Sequence, residues 1–348
     1  MKKRKQPSSE DTSSPLLRLA IERNDLDEVR RLLRIEGDRT SSIVRIDEKD
    51  RNGTTLLHLA AKRGRSMVVR ELLRVGADPN VRDRDGCTAL HKVCTYSKRS
   101  TREEYNRRLD ATVALLEANA NPNAQDEDGW APLHCATIAD AFEDTRIFST
   151  LIDAGADPNV RTSSSSTPLC FVKRATSASI LLAAGARTEV RRDGLTPLHY
   201  AAVSGNALLV RALLVGGADV NARDDNGRTP LHLSLCSVPS PSVVDELIAA
   251  GADVESIDND GRTPYAILML QTEAGGPFDR RILLPRLSDA LDRIRHLLDI
   301  ARCRNRFFRV LYSIGSNNEQ RVHSLRKRFF KGIYTMAKPS RMDDTIDK

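Results

Sequence analysis

The residues best able to do chemistry recur at intervals that keep them apart. Five of the seven histidines, His58, His91, His134, His199 and His232, each close a string of the form Gly-x-Thr-Pro-Leu-His or a near copy of it. Imidazoles titrate near neutral pH and serve as metal ligands and proton carriers, yet each of these lies a whole structural unit from the next. One ion or one substrate cannot gather them. They read instead as buried side chains that hydrogen-bond between neighbouring units. The cysteines, Cys87, Cys94, Cys135, Cys170, Cys236 and Cys303, contain no Cys-x-x-Cys pair and read as reduced thiols, mostly small apolar packing residues. No phosphate-cradling Gly-Lys-Ser/Thr loop and no Ser nucleophile elbow occurs. Acidic residues are spread along turns without a matched pair. The sequence predicts no catalytic residue, no metal and no cofactor, and points to a binding protein.

The element that positions these histidines is a repeat. The string runs Gly53 to His58, Gly86 to His91, Gly129 to His134, Gly194 to His199 and Gly227 to His232, with degenerate copies at Thr167 to Cys170 and Gly261 to Ala266. Equivalent positions are 33, 43, 36, 29, 33 and 34 residues apart. A second signature follows about 18 residues on, as Gly76-Ala77-Asp78-Pro79-Asn80, Gly155 to Asn159, Gly217 to Asn221 and Gly251 to Glu255. Thr supplies a hydroxyl to cap a helix N-terminus, and Pro suits the first turn, where its missing N–H is no loss. Leu57, Leu90, Leu133, Leu198 and Leu231 should then point into a stack, with Val68, Val69, Leu72 and Leu73 forming the apolar stripe of a second helix. Gly64 and Gly205 should end first helices in a left-handed conformation. One such unit is too small to bury its own core, so stability must come from neighbours.

Both signatures, kept in phase over seven units, resemble the ankyrin repeat, with its ~33-residue period and T-P-L-H-x-A core. The resemblance covers roughly residues 16–270. It implies an all-α solenoid of helix-turn-helix units joined by β-hairpin-like turns, a capping unit from Leu16 to about Asp47, and a C-terminal helical extension. It implies a non-enzymatic, monomeric scaffold that captures a protein partner through hairpin tips and adjoining first helices. The positions the family leaves free for partners hold Arg51, Lys62, Arg63, Arg84, Glu127, Trp130, Arg192, Leu195 and Arg228. Trp130, the only Trp, falls where a solvent-facing side chain is expected. It serves either as a binding hot spot or as packing against a neighbouring hairpin.

Two units are irregular. The third carries about ten extra residues between its helices, within 96–108, read as a loop insertion that is either functional or a solvated charged extension. The fifth is short, has Cys170 for the motif His, and has Ser163 to Ser166 where a Gly turn belongs. Residues 161–187 should therefore be the weak point of the array.

The 348 residues carry a net charge of +7 that hides an uneven distribution. Residues 301–348 hold 12 Lys or Arg against 4 Asp or Glu, and Lys2, Lys3, Arg4 and Lys5 add a second basic end to a mildly acidic middle. No apolar run reaches the ~20 residues of a membrane span, and the basic start has no apolar segment behind it, against a secretory signal. Lys2 to Lys5 resembles a nuclear localisation signal, giving nucleus and cytoplasm as the expected location, with Ser8 beside it a candidate phosphorylation site. Arg304, Arg306, Phe307, Phe308 and Arg309 are echoed 22 residues later by Arg326, Lys327, Arg328, Phe329, Phe330 and Lys331. These basic aromatic segments admit a cap on the repeats, a surface for nucleic acid or an acidic protein, or a membrane-docking element. A ligase-recruiting box would occupy the same place. The expected organisation is a disordered 1–15, repeats over 16–270, a linker and capping helix over 271–301, the basic aromatic extension over 302–338, and a disordered 339–348.

Overall fold

Each Thr-x-Leu-His string begins a short helix, and the histidine shows why. A computed structural model describes residues 13–37, 46–95, 101–139, 145–236, 240–273 and 295–306. The chain folds as two compact units, Met1–Pro197 with Arg211–Ala218, and Leu198–Val210 with Asp219–Lys348. The first contains α1 (Ser13–Arg23), α2 (Leu26–Gly37), α3 (Leu56–Lys62), α4 (Ser66–Arg74), α5 (Ala89–Cys94), α6 (Arg102–Glu117), α7 (Pro132–Ala139), α8 (Arg146–Asp153), a 3-10 turn over Pro168–Phe171 and α9 (Ala175–Ala183). Along the chain follow α10 (Pro197–Val203), α11 (Ala207–Val215), α12 (Pro230–Ser234), α13 (Pro241–Ala249) and α14 (Pro264–Glu273), with residues 295–306 also helical. No β-strand occurs among the described residues, and the fold is the expected all-α repeat of helix pairs.

At the start of α3, the backbone N–H of Thr55 donates to His58 Nδ1 at 3.3 Å, and His58 N–H reaches back to Thr55 Oγ1. Thr88 with His91 and Thr229 with His232 repeat this reciprocal cap, and Ala131 N–H donates to His134 Nδ1 at 3.1 Å. A ring nitrogen that accepts from a backbone N–H leaves the proton on Nε2. That N–H donates to a carbonyl in the following repeat: Cys87 at 2.9 Å, Trp130 at 2.9 Å, Ser166 at 3.2 Å, and, in the second unit, Arg228 and Arg262 at 3.1 Å for His199 and His232. All five histidines are buried bridges between adjacent repeats.

The second signature works the same way with a neutral amide. Asn80 accepts from Asn121 N–H at 2.7 Å and donates to Asn119 O at 3.0 Å. Asn123 does so with Asp157 and Gly155, and Asn159 with Arg187 and Gly185. The leucines after the cap, Leu57, Leu90, Leu133, Leu198 and Leu231, are all buried. So are Val68, Val69 and Leu72, whereas Leu73, on the edge of that stripe, is only half-buried.

The fifth repeat keeps the turn without its residues. In the other turns a glycine such as Gly86 sits at φ 77°, and in all but the turn at Gly194, where Arg191 stands, an aspartate such as Asp83 accepts N–H groups. Here Thr162 replaces the aspartate and Ser165 takes the glycine's place at φ 62°. A side chain in that region costs roughly 1–2 kcal/mol. The first helix is reduced to the 3-10 turn. Ser165→Gly is expected to raise stability by about 0.5–1 kcal/mol, after Gly's larger unfolded-state entropy is subtracted, and to slow amide exchange over residues 161–187. Unchanged exchange in that segment would show that the turn is not where the array opens.

Candidate partner-binding surface

Consecutive hairpin tips of the first unit are tied by single backbone bonds. Arg84 N–H donates to Asn52 O at 3.1 Å, Glu127 N–H to Asp85 O at 2.9 Å, and Ser163 N–H to Asp128 O at 2.9 Å. The links fix the backbone and leave the side chains of Arg51, Arg84 and Glu127 exposed. Lys62 and Arg63, at the end of α3, are exposed as well, with Arg63 3.8 Å from Glu22. Along this row Arg51 and Arg84 are followed by Glu127, so the surface is charged without being uniformly basic.

Trp130 is half-buried, its ring 4.8 Å from Phe171 and 5.4 Å from His134. The guanidinium of Arg192 lies over the other aromatic partner, 4.6 Å from the Phe171 centroid. Trp130, Phe171 and Arg192 thus form one stack across three repeats, and all three keep some exposed area. Leu195, facing Arg192 across a tight turn, is also half-buried. Phe171 escaped the sequence reading because its repeat is degenerate. The signal was its place directly after the motif's fourth residue, the position Tyr200 occupies one repeat later.

Arg228, in the second unit, has a structural duty that its position in the repeat did not suggest. It is 2.8 Å from the carboxylate of Asp224, whose side chain is nearly inaccessible, and the Arg228 backbone N–H donates to the other oxygen. Arg262 holds Asp258 at 2.9 Å, and Lys92 of the first unit holds Asp83 at 2.6 Å.

The extra residues of the third repeat are not all loop. From Arg102 onward they form the first turns of α6, which has 16 residues against 9 in α4. Tyr105, in these turns, is buried, and its hydroxyl accepts from Ile147 N–H at 3.2 Å. Arg108 is buried too, and donates to the carbonyls of Lys62, Val93 and Thr95.

Cys94 and Cys170 are buried and Cys87 and Cys135 half-buried, packed rather than activated, whereas Cys236 and Cys303 are exposed and do not serve as packing residues. Burial pushes Cys87 up to about 11 and Cys135 up to about 12, and Cys94 rises for the same reason. Among the described residues, no three His, Cys, Asp or Glu side chains are grouped to hold a metal ion, and no helix is long and apolar enough to cross a membrane. Arg304 and Arg306 are exposed on the 295–306 helix. Lys2, Lys3, Arg4, Lys5, Phe307, Phe308, Arg309 and the segment Arg326 to Lys331 lie outside the described residues.

Comparison with known proteins gives a consistent picture. The model of the family described as ankyrin repeats (3 copies) matches residues 17–103, 75–162, 138–224, 169–258 and 201–273. An E3 ubiquitin-protein ligase KEG of Arabidopsis thaliana is 27% identical over 55% of this chain and 12% of its own length. Ankyrin repeat and SOCS box protein 3 of Bos taurus is 30% identical over 51% of this chain and 33% of its own. The NF-kappa-B inhibitor cactus of Drosophila melanogaster is 28% identical over 47% of this chain and 24% of its own. The chain therefore spans a third or less of these relatives. Family models overlapping from residue 17 to residue 273, on a fold of stacked helix pairs bridged by motif histidines, place the chain in the ankyrin-repeat family of protein-interaction scaffolds.

Proposed function

We propose that this chain is a non-enzymatic adaptor or inhibitor that captures a regulatory protein through the hairpin tips and first helices of its first unit. The observation that carries the reading is the exposed row of Arg51, Arg84 and Glu127 beside the stack of Trp130, Phe171 and Arg192. Aromatic and Arg side chains are the usual composition of interface hot spots. The names of two relatives, an inhibitor and a SOCS box protein, support the same class of action. Shuttling between cytoplasm and nucleus, with Lys2 to Lys5 directing import, belongs to this proposal.

Affinity capture from cells tests it. Trp130→Ala is expected to weaken partner capture by about 30-fold, the equivalent of about 2 kcal/mol, whereas Trp130→Phe keeps a ring against Phe171 and loses less. A fall in melting temperature that accounts for the whole loss of capture would assign Trp130 to packing alone. The high basic charge of residues 301–348 favours a second reading, in which the extension binds nucleic acid. Comparing the full chain with one ending near Ala301 separates these readings. Ligase subunits lost with the extension indicate an adaptor, and nuclease-sensitive partners indicate nucleic acid.

A further inference from the structure

The turn between α3 and α4 and the added turns of α6 enclose a depression of about 300 Å³. Its lining is Lys62, Arg63, Arg65, Glu104, Arg107 and Arg108, five cations facing one carboxylate. Glu22 reaches Arg63 at 3.8 Å and Glu103 pairs with Arg107 at 2.9 Å, so an excess of two positive charges remains. Arg108 is committed to backbone carbonyls and to Glu104. Arg65 and Arg107 are only partly committed: Arg65 Nη2 donates to Glu22 O at 3.3 Å and Arg107 Nη1 to Glu103, while the Nε–H of each is shielded from solvent and has no hydrogen-bond partner. A buried donor left unpaired costs free energy, and two of them from like charges cost more. Burial, with the neighbouring charges of Arg107 and Arg63, also lowers the Arg65 pKa.

We infer that this depression is a receptor for a phosphomonoester carried on a phosphorylated segment of the protein partner. A phosphoserine or phosphothreonine brings close to two negative charges and several strong acceptor oxygens, which matches the excess charge and both unpaired donors. Guanidinium groups suit this recognition because their planar N–H forks meet phosphate oxygens in pairs. A carboxylate would bring half the charge and fewer acceptors. The depression opens beside Lys62 and Arg63, the exposed end of α3, so a peptide docked on the first helices passes its mouth. The inference deepens the protein-capture reading and rests on it.

The test uses the full chain and two probes. Phenyl phosphate is titrated while the Arg side-chain N–H resonances are followed, with sodium chloride at matched ionic strength as the control. A randomised peptide pool with a central phosphoserine is compared with the same pool carrying serine. The Arg65 and Arg107 resonances are expected to move with phenyl phosphate and not with chloride, and phosphoserine peptides to bind at least tenfold tighter than serine peptides. Arg65→Gln and Arg107→Gln, made singly, should each remove most of that preference. Arg107 is on the surface of α6, so its variant keeps the fold even if the Arg65 variant does not. Equal binding of the two pools, or a preference surviving in Arg107→Gln, overturns the inference. Binding of phenyl phosphate without any peptide preference also overturns it, leaving a free-phosphate site. Capture of the cellular partner, measured in parallel, shows whether the depression alone has failed or the scaffold reading with it.

Discussion

Acidification from about pH 7 to about pH 5 is expected to strip several kcal/mol of stability from the protein, well above the range where carboxylates titrate. His58, His91, His134 and His232 are all held below the ordinary histidine value, in each case chiefly by burial. For His134 the folded value falls to about 4. Its geometry acts in the same direction as burial: Nδ1 already accepts from Ala131 N–H, so a second ring proton would point one donor at another. In the unfolded chain these rings bind protons near pH 6.5. As pH falls below that value, the unfolded state gains protons that the folded state cannot take, and stability drops until the folded value is reached. For His134 alone the loss is about 2 kcal/mol by pH 5 and about 3 kcal/mol by pH 4. The other three add losses of the same sign. Denaturant midpoints measured between pH 7.5 and pH 4.5 check this, with Trp130, 5.4 Å from His134, as the reporter. His134→Gln should be less stable at pH 7 and should flatten the slope by roughly one proton. A stability profile flat down to about pH 5 would mean that the bridging histidines titrate freely in the fold.

The motif made these histidines legible before any coordinate, because repetition at a fixed interval excludes a shared site and leaves only a role repeated in every unit. The same logic identified the leucines of the stack and the segment Ser163 to Ser166 that stands where a glycine turn belongs, and the structure places the positive φ at Ser165. What periodicity cannot reach is a residue that occurs once. Phe171 belongs to the repeat with the poorest match, so no template announced that it would stand between Trp130 and Arg192. Arg228 looked free because its position is variable in the family pattern, yet the buried Asp224 carboxylate in this chain needs a cation beside it. Arg108 was hidden more completely. Arg-Arg in a charged insertion reads as solvated surface, since sequence spacing alone cannot show that one guanidinium faces three carbonyls at the ends of two other helices.

That arrangement makes Arg108 the side chain whose removal should cost most outside the apolar core. Its Nη2 donates to Lys62 O at 2.8 Å and its Nη1 to Val93 O at 3.1 Å, with Thr95 O at 3.4 Å. Lys62 ends α3 and Thr95 follows α5, so one cation satisfies carbonyls left over at two helix C-termini, where positive charge is favoured. Gly64 lets it through, since a Cβ there would lie 3.1 Å from Arg108 Cγ. Arg108→Met is expected to lose about 3–5 kcal/mol, because the carbonyls and the Glu104 carboxylate stay behind without their donor. Arg108→Lys keeps the charge but not the fork, and should lose about 1–2 kcal/mol. Glu104→Gln should cost under about 1 kcal/mol, since that carboxylate is partly solvated. Chemical denaturation of the three variants gives the ranking. Because each repeat is held by its neighbours, the methionine variant should also broaden or split the transition as the repeats around α3 and α5 separate from the rest. A loss below about 1 kcal/mol in Arg108→Met would mean that water satisfies those carbonyls as well as the guanidinium does, and that Tyr105 and the Asn106–Arg146 hydrogen bond suffice to hold the added turns of α6.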